Sequence, residues 1–301
     1  MTAHTIPSGD LQLQAAVIAP EQPKAVVVFV HGMAEHKERY YPFMTYLSEQ
    51  GFACVIYDQR GHGATAVNPD DLGYFGQNGI QKLVEDTLTV VQWAREQYSG
   101  LKVFLFGHSM GSMVVRCFTK KYDAQIDGLV VCGSPSNNGA SGLGILVTHI
   151  IKVFKGDRFR SKKVALMMFG PHTKKFKAEG MRNAWLSTNK ANVEEYNADP
   201  LCGFLFTLNG YRVVMQLIQE TYSPKGWAVK TPDMPVHFLA GGEDPCIISR
   251  QAFDKAVDFF RDRGYKQVTS QVYPGLRHEV LNEVGKEGVW EDVGNVLKGW
   301  L

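Results

Sequence analysis

The chain has 301 residues, 45% of them hydrophobic and 21% charged, with a formal net charge of +2. That composition describes a globular protein with enough chain for one large core or two modest ones, and its near-neutral charge argues against a nucleic-acid partner. No run of about 18 apolar residues argues for a membrane span, and five scattered cysteines (54, 117, 132, 202 and 246) without a C-x-x-C pair indicate neither a disulfide framework nor a zinc site.

The start of the chain, MTAHTIPSGD, lacks a basic region followed by an apolar core, so a reducing cytoplasmic location is expected. Residues 3–8 and 11–18 alternate around Ser8-Gly9-Asp10 and predict an antiparallel hairpin at a sheet edge. Residues 25–30, AVVVFV, form a continuous apolar strand of the kind buried on both faces of a parallel sheet. A helix over 40–50 and a strand over 53–57 follow, then the polar loop DQRGHG and a long helix from Gly79 to about Tyr98. Next come a strand through Val103–Phe106, a turn, an apolar helix face, and a strand over 128–132.

The pattern then breaks. From Ser134 to about Ser223 there are helix-like segments and no buried-type strand; strands return at 236–240 and 267–273, with helices over 249–261 and 283–301. This order predicts an α/β fold. Its core covers residues 1–134 and 224–301, and residues 135–223 are inserted after the sixth strand as a helical cap.

The stretch with the most chemical content is Gly107-His108-Ser109-Met110-Gly111, a G-x-S-x-G between strand and helix. Such an elbow lifts a serine hydroxyl above the sheet and aims the helix N-terminal amides at the same spot. A serine needs a base, and the base an orienting acid; with this elbow they follow in the order acid, then base. Asp244, in the turn GGEDP behind the strand 236–240, is the candidate acid in preference to its neighbour Glu243. His278, in the loop after the last strand, is the only histidine beyond it. Oxyanion donors are expected from the backbone N–H groups of Met110 and Met33, the latter in the turn after strand 25–30. His31 and His62 are expected to hydrogen-bond the glycine-rich loops, and Cys246 to lie near the acid.

Taken jointly, HGMAEH, DQRGHG, GHSMG, YNADPLCGF, GGEDP and RHEVLNE resemble the monoacylglycerol lipase and lysophospholipase branch of the α/β-hydrolases over nearly the whole chain, with the DPLCGF form and the cap more similar to bacterial members. The resemblance implies an α/β-hydrolase fold with a mostly parallel eight-stranded sheet, a cap, and esterase chemistry on a lipid ester without cofactor or metal. It also implies that Glu35, Arg39, His108 and Tyr196 hold the polar head of the substrate near the oxyanion loop. An acyltransferase, a short-peptide peptidase or general carboxylesterase, and a hydrolase-like small-molecule receptor remain alternatives. A serine at the elbow argues against dehalogenase and epoxide hydrolase chemistry, which need a carboxylate there.

Within the cap, residues 143–155 are apolar almost all round, with Thr148, Lys152 and Lys155 as a narrow polar stripe. From Lys152 to Arg182 there are ten basic residues against two acidic ones, Asp157 and Glu179. Two readings are open: a lid that touches an anionic lipid surface, or a cap helix packed on its own core with solvated lysines.

Overall fold

The computed structural model describes residues 1–137 and 139–301. Eight strands form one sheet in the order β1-β2-β4-β3-β5-β6-β7-β8. The hairpin β1 (Thr2–Ser8) and β2 (Leu11–Ile18) is antiparallel, and β2 is antiparallel to β4 (Phe52–Tyr57). From there β3 (Ala25–Val30), β5 (Lys102–His108), β6 (Gly128–Cys132), β7 (Val236–Gly241) and β8 (Val268–Tyr273) run parallel.

The unbroken apolar runs have the burial they call for. Every residue of β3, β4, β6 and β7 is buried, and alternate side chains enter two different cores. Val26, Val28 and Val30 point into one core with α2 (Gly79–Gln97), α3 (Met110–Tyr122), α7 (Leu208–Thr221) and α8 (Arg250–Asp262). Val27 and Phe29 point into the other, with α1 (Tyr41–Glu49) and α9 (Lys286–Lys298). Parallel pairing brings the carboxyl ends of β3, β5, β6, β7 and β8 to one edge of the sheet, where ligands bind in folds of this kind.

Between β6 and β7 lie α4 (Ser141–Lys155), α5 (Lys162–Lys175, with Pro171 inside it), α6 (Lys190–Ala198) and α7. The expected cap, residues 135–223, includes α7, but that helix packs on α3 and α2 and its side chains fill the same core. It packs on α4 above it as well, so α7 joins the inserted helices to the helix layer under the sheet.

The orientation of α4 also differs from the simplest reading of its polar stripe. Thr148 is fully buried, and with Ser141 and Gly144 it forms the face against α7. A Cβ at Gly144 would stand 2.2 Å from Met215 Sδ, so only small side chains fit this seam. The large apolar residues therefore face outward: Leu143, Leu146, Ile150, Val153 and Phe154 are all more than half exposed, the last at 80%.

Candidate active site

Ser109 sits between β5 and α3 with φ +53° and ψ −118°, a conformation that L-residues avoid. The two glycines beside it are required by close approach. A Cβ on Gly111 would lie 2.0 Å from the Val30 carbonyl oxygen, and one on Gly107 would lie 2.5 Å from that of Gly111. The hydroxyl of Ser109 donates to His278 Nε2 at 2.8 Å, and His278 Nδ1–H donates to Asp244 Oδ2 at 2.9 Å. The other Asp244 oxygen accepts the backbone N–H of Cys246 at 2.8 Å.

Asp244 and His278 are 3% and 2% exposed. Burial alone would lower the His278 pKa, but the Asp244 carboxylate outweighs it and holds the imidazole well above its ordinary value. Glu243, by contrast, is exposed and pairs with Lys175 at 3.2 Å, away from His278. Cys246 borders the site as expected, buried, with its thiol pushed up to about 11 by that burial.

The loop after β3 lies against the serine. The Gly32 amide donates to Glu35 Oε1, and the Ala34 amide to His62 Nε2. The Met33 amide between them, and that of Met110 at the first position of α3, have no acceptor among the described residues; both residues line the cavity beside Ser109. His31 and His62 are fully buried and neutral, both brought down to about 3 by burial. Their rings bond Gly32 O, Gln59 N–H, Arg60 O and Ala34 N–H, which is the loop-holding role expected for them.

The four residues assigned to the polar head divide. Glu35, His108 and Tyr196 line the main cavity. Arg39 does not; it lies behind Glu35, pairs with Glu279 at 2.5 Å, and lines a separate small void. Glu35 and Tyr196 are also already engaged. Glu35 Oε1 accepts Gly32 N–H and the Tyr40 hydroxyl, while the Tyr196 hydroxyl donates to Ala34 O at 2.9 Å. Their polar atoms shape the loop around Met33.

Sequence reasoning missed a second set of residues. Trp185 packs beside His278 in a tilted arrangement with ring centroids 5.2 Å apart, and His172 of α5 stands 5.2 Å beyond it, its pKa lowered to about 4 chiefly by burial. The turn carrying His278 is tied to the 179–189 segment. Glu279 N–H donates to Leu186 O, Arg277 Nη1 donates to Ala184 O, and Arg277 pairs with Glu179. Glu283 accepts from Arg277 N–H at 2.7 Å, from the Ser187 hydroxyl at 2.7 Å and from the Thr188 hydroxyl at 2.6 Å. Glu283 ends the RHEVLNE motif, which was its one signal in the sequence; the cap residues carried none.

All of this opens on a cavity of about 910 Å³ that runs from Ser109 under α4 and α5. Its walls are mainly apolar, with Met113, Leu166, Phe169, Val214 and Ile218 among them. A profile of the serine aminopeptidase S33 family matches residues 21–285. The chain belongs to this family. This S33 protein is an α/β-hydrolase of the monoacylglycerol lipase-like kind. It is 27% identical to a monoacylglycerol lipase of Mycolicibacterium smegmatis over 95% of this chain and 92% of that one. A phospholipase of Bacillus subtilis is 25% identical over 90% of this chain and 94% of its own. A crystal structure of a carboxyl esterase from Bacillus coagulans superposes with a TM-score of 0.88 at 25% identity, covering 99% and 97% of the two chains.

Proposed function

We propose that this S33 member is a serine ester hydrolase that cleaves single-chain lipid esters, monoacylglycerols or lysophospholipids, through an acyl-enzyme on Ser109. The observation that carries the reading is the Ser109–His278–Asp244 hydrogen-bond chain at the base of a mainly apolar cavity. Ser109 Oγ attacks the ester carbonyl as His278 Nε2 takes its proton, and the Asp244 carboxylate stabilises the imidazolium. The Met33 and Met110 amides receive the oxyanion. Collapse breaks the carbon–oxygen bond, and His278 returns the proton to the departing alcohol. Water, deprotonated by the same imidazole, then releases the fatty acid. Glu35 and Tyr196 serve by fixing the oxyanion loop, and α4 to α6 form the cap over the acyl chain.

The family's description raises the alternative of an aminopeptidase. Such an enzyme needs an uncommitted carboxylate near the serine to hold a free ammonium group. The carboxylates lining the cavity are Glu35 and Glu279, already bonded to Gly32, Tyr40, Arg39 and Asn192, and its other charged lining residues are Lys162, Lys175 and Arg182. The test is a panel of monoacylglycerols, lysophospholipids and p-nitrophenyl esters of graded chain length, with aminoacyl p-nitroanilides alongside. Each added methylene buried contributes about 0.8 kcal/mol, so kcat/KM should rise about fourfold per carbon until the cavity is filled. Preference for the anilides, with esters indifferent to length, would overturn the reading.

The outward apolar face of α4 supports contact with a lipid surface. Val153, Phe154 and Leu166 are 70% or more exposed, and the exposed Lys155, Lys162 and Lys163 flank them. Each lysine near an anionic surface contributes about 1 kcal/mol, a term that salt screens, whereas apolar burial does not screen. Binding should be stronger to anionic than to zwitterionic vesicles. Glutamine at Lys155, Lys162 and Lys163 should erase a difference of up to roughly 100-fold at low salt, and leave hydrolysis of a short soluble ester unchanged. Equal sedimentation with both vesicle types would assign α4 to an ordinary cap.

A further inference from the structure

Outside the triad, a mixed set of nitrogen, sulfur and oxygen donors converges where the loop after β3 meets residues 199–203. One ligand atom each from His36, Asp199 and Cys202 lies within 4.8 Å of the others. We propose that His36 Nε2, Asp199 Oδ2 and Cys202 Sγ form a binding site for one zinc ion, with Glu38 anchoring the imidazole from behind.

Each donor is held in place by a further bond, and the His36 Nε2–Asp199 Oδ2 hydrogen bond is the one that zinc would replace. His36 Nδ1–H donates to Glu38 Oε2 at 2.5 Å and Nε2–H to Asp199 Oδ2 at 2.8 Å, so zinc would take the place of the Nε2 proton between the ring and the Asp199 carboxylate. A carboxylate on the far nitrogen is the usual outer partner of a zinc-bound histidine. Asp199 Oδ1 accepts the Leu201 N–H at 2.7 Å, and Oδ2 faces His36 Nε2 at 2.8 Å. The Cys202 N–H donates to Asp199 O at 3.0 Å, closing the turn that sets the thiol beside the carboxylate.

His36 and Cys202 are 6% and 7% exposed, while the Asp199 side chain is 32% exposed and gives an ion a way in and room for a water as fourth ligand. The nearby cations are already neutralised, Lys37 by Asp58 and Glu38, Arg39 by Glu279. One thiolate, one imidazole and one carboxylate suit zinc, and the thiolate disfavours magnesium or calcium.

Donors around tetrahedral zinc stand about 3.3–3.8 Å apart, from bond lengths of about 2.0–2.3 Å. The His36–Asp199 gap therefore has to open by only about half an ångström, within reach of small side-chain rotations. C-x-x-C spacing could not reveal the site, because its ligands come from two segments more than 160 residues apart in the chain. The ion would pin residues 199–203 to the loop after β3, where Gly203 N–H already donates to Ala34 O at 2.9 Å. Ala34 has φ +53° and adjoins Met33, so zinc would stiffen the loop that presents the Met33 amide.

The experiment is a zinc titration of the chelator-treated full chain by equilibrium dialysis, with cobalt(II) as a spectroscopic probe. The expected result is one zinc per chain and a thiolate-to-cobalt charge-transfer band. Cys202→Ser and His36→Gln should each weaken binding at least 100-fold, Glu38→Gln about 10-fold or more, and Cys246→Ser should leave it unchanged. The last variant matters because Asp244, Cys246 and His278 form a rival donor cluster in the triad. No zinc uptake, no charge-transfer band in the unmutated chain, binding indifferent to Cys202 and His36, or binding lost in Cys246→Ser would each overturn the proposal. The cobalt band is read on the unmutated protein, so the test stands even if a variant fails to fold.

Discussion

Ser109→Ala should lower kcat on a soluble p-nitrophenyl ester by on the order of 10⁵–10⁶-fold and abolish labelling by a fluorophosphonate. The variant removes the only oxygen that His278 Nε2 contacts among the described residues. Residual turnover would come from the Met33 and Met110 amides and from binding alone. The fold should survive, since alanine has the same backbone demands as serine at φ +53° and the lost side-chain bond is one hydrogen bond at the end of a helix. Circular dichroism and a melting curve close to those of the unmutated chain are therefore expected. A fluorophosphonate adduct on the alanine variant would remove Ser109 from the mechanism.

The second large effect is at Asp244. Asp244→Asn should cost roughly 10⁴-fold in kcat, because the amide lacks the charge that stabilises the imidazolium and favours the wrong tautomer. The pH dependence gives the sign. His278 must be neutral to accept the serine proton, and Asp244 holds its pKa above the ordinary histidine value of 6.5. In the unmutated enzyme kcat/KM should therefore rise with pH along a limb whose midpoint lies above 6.5. With asparagine in place, burial is left to dominate and the limb of the remaining activity should move to lower pH. Glu243→Gln should alter neither rate nor profile, since Glu243 faces solvent and Lys175. A larger loss at Glu243 than at Asp244 would show that the acid is misassigned.

The parts legible in the sequence were those with one physical solution. AVVVFV and VFLF are too apolar for anything but burial on both faces, and GHSMG between a strand and a helix permits only small residues at its shoulders. The position of α4 was not legible in the same way. Its stripe of Thr148, Lys152 and Lys155 is a periodicity, and periodicity says which residues share a face but not what that face meets. The facing helix decides: Met215 of α7 requires a small residue opposite it, so Ser141, Gly144 and Thr148 turn inward, while Lys152 and Lys155 stay exposed with Leu143 and Leu146.

Arg39 shows the same limit at the site. Its motif placed it near the oxyanion loop, but its guanidinium turns toward Glu279, a partner 240 residues away in the chain, and leaves the cavity. Trp185 and His172 had no signal at all, because helices of an insertion approach the site by tertiary packing and not through a strand end. The amphipathic pattern of α7 likewise did not say that it would pack on both the cap helix α4 and the core helix α3.

The binding of the His278 turn to Glu179, Ala184, Leu186, Ser187 and Thr188 bears on how this scaffold can be modified. The cap is not an interchangeable module. A graft that replaced residues 141–205 with another protein's helices would strip the supports from the base, and the chimaera would lose activity on every substrate alike. Carrying residues 277–283 along with the graft should restore it. Substrate admission is under the same restriction: the 179–189 segment must stay seated for proton transfer to continue. Directed changes in chain-length preference therefore belong in α4 and α5, where they can reshape the passage without disturbing the histidine.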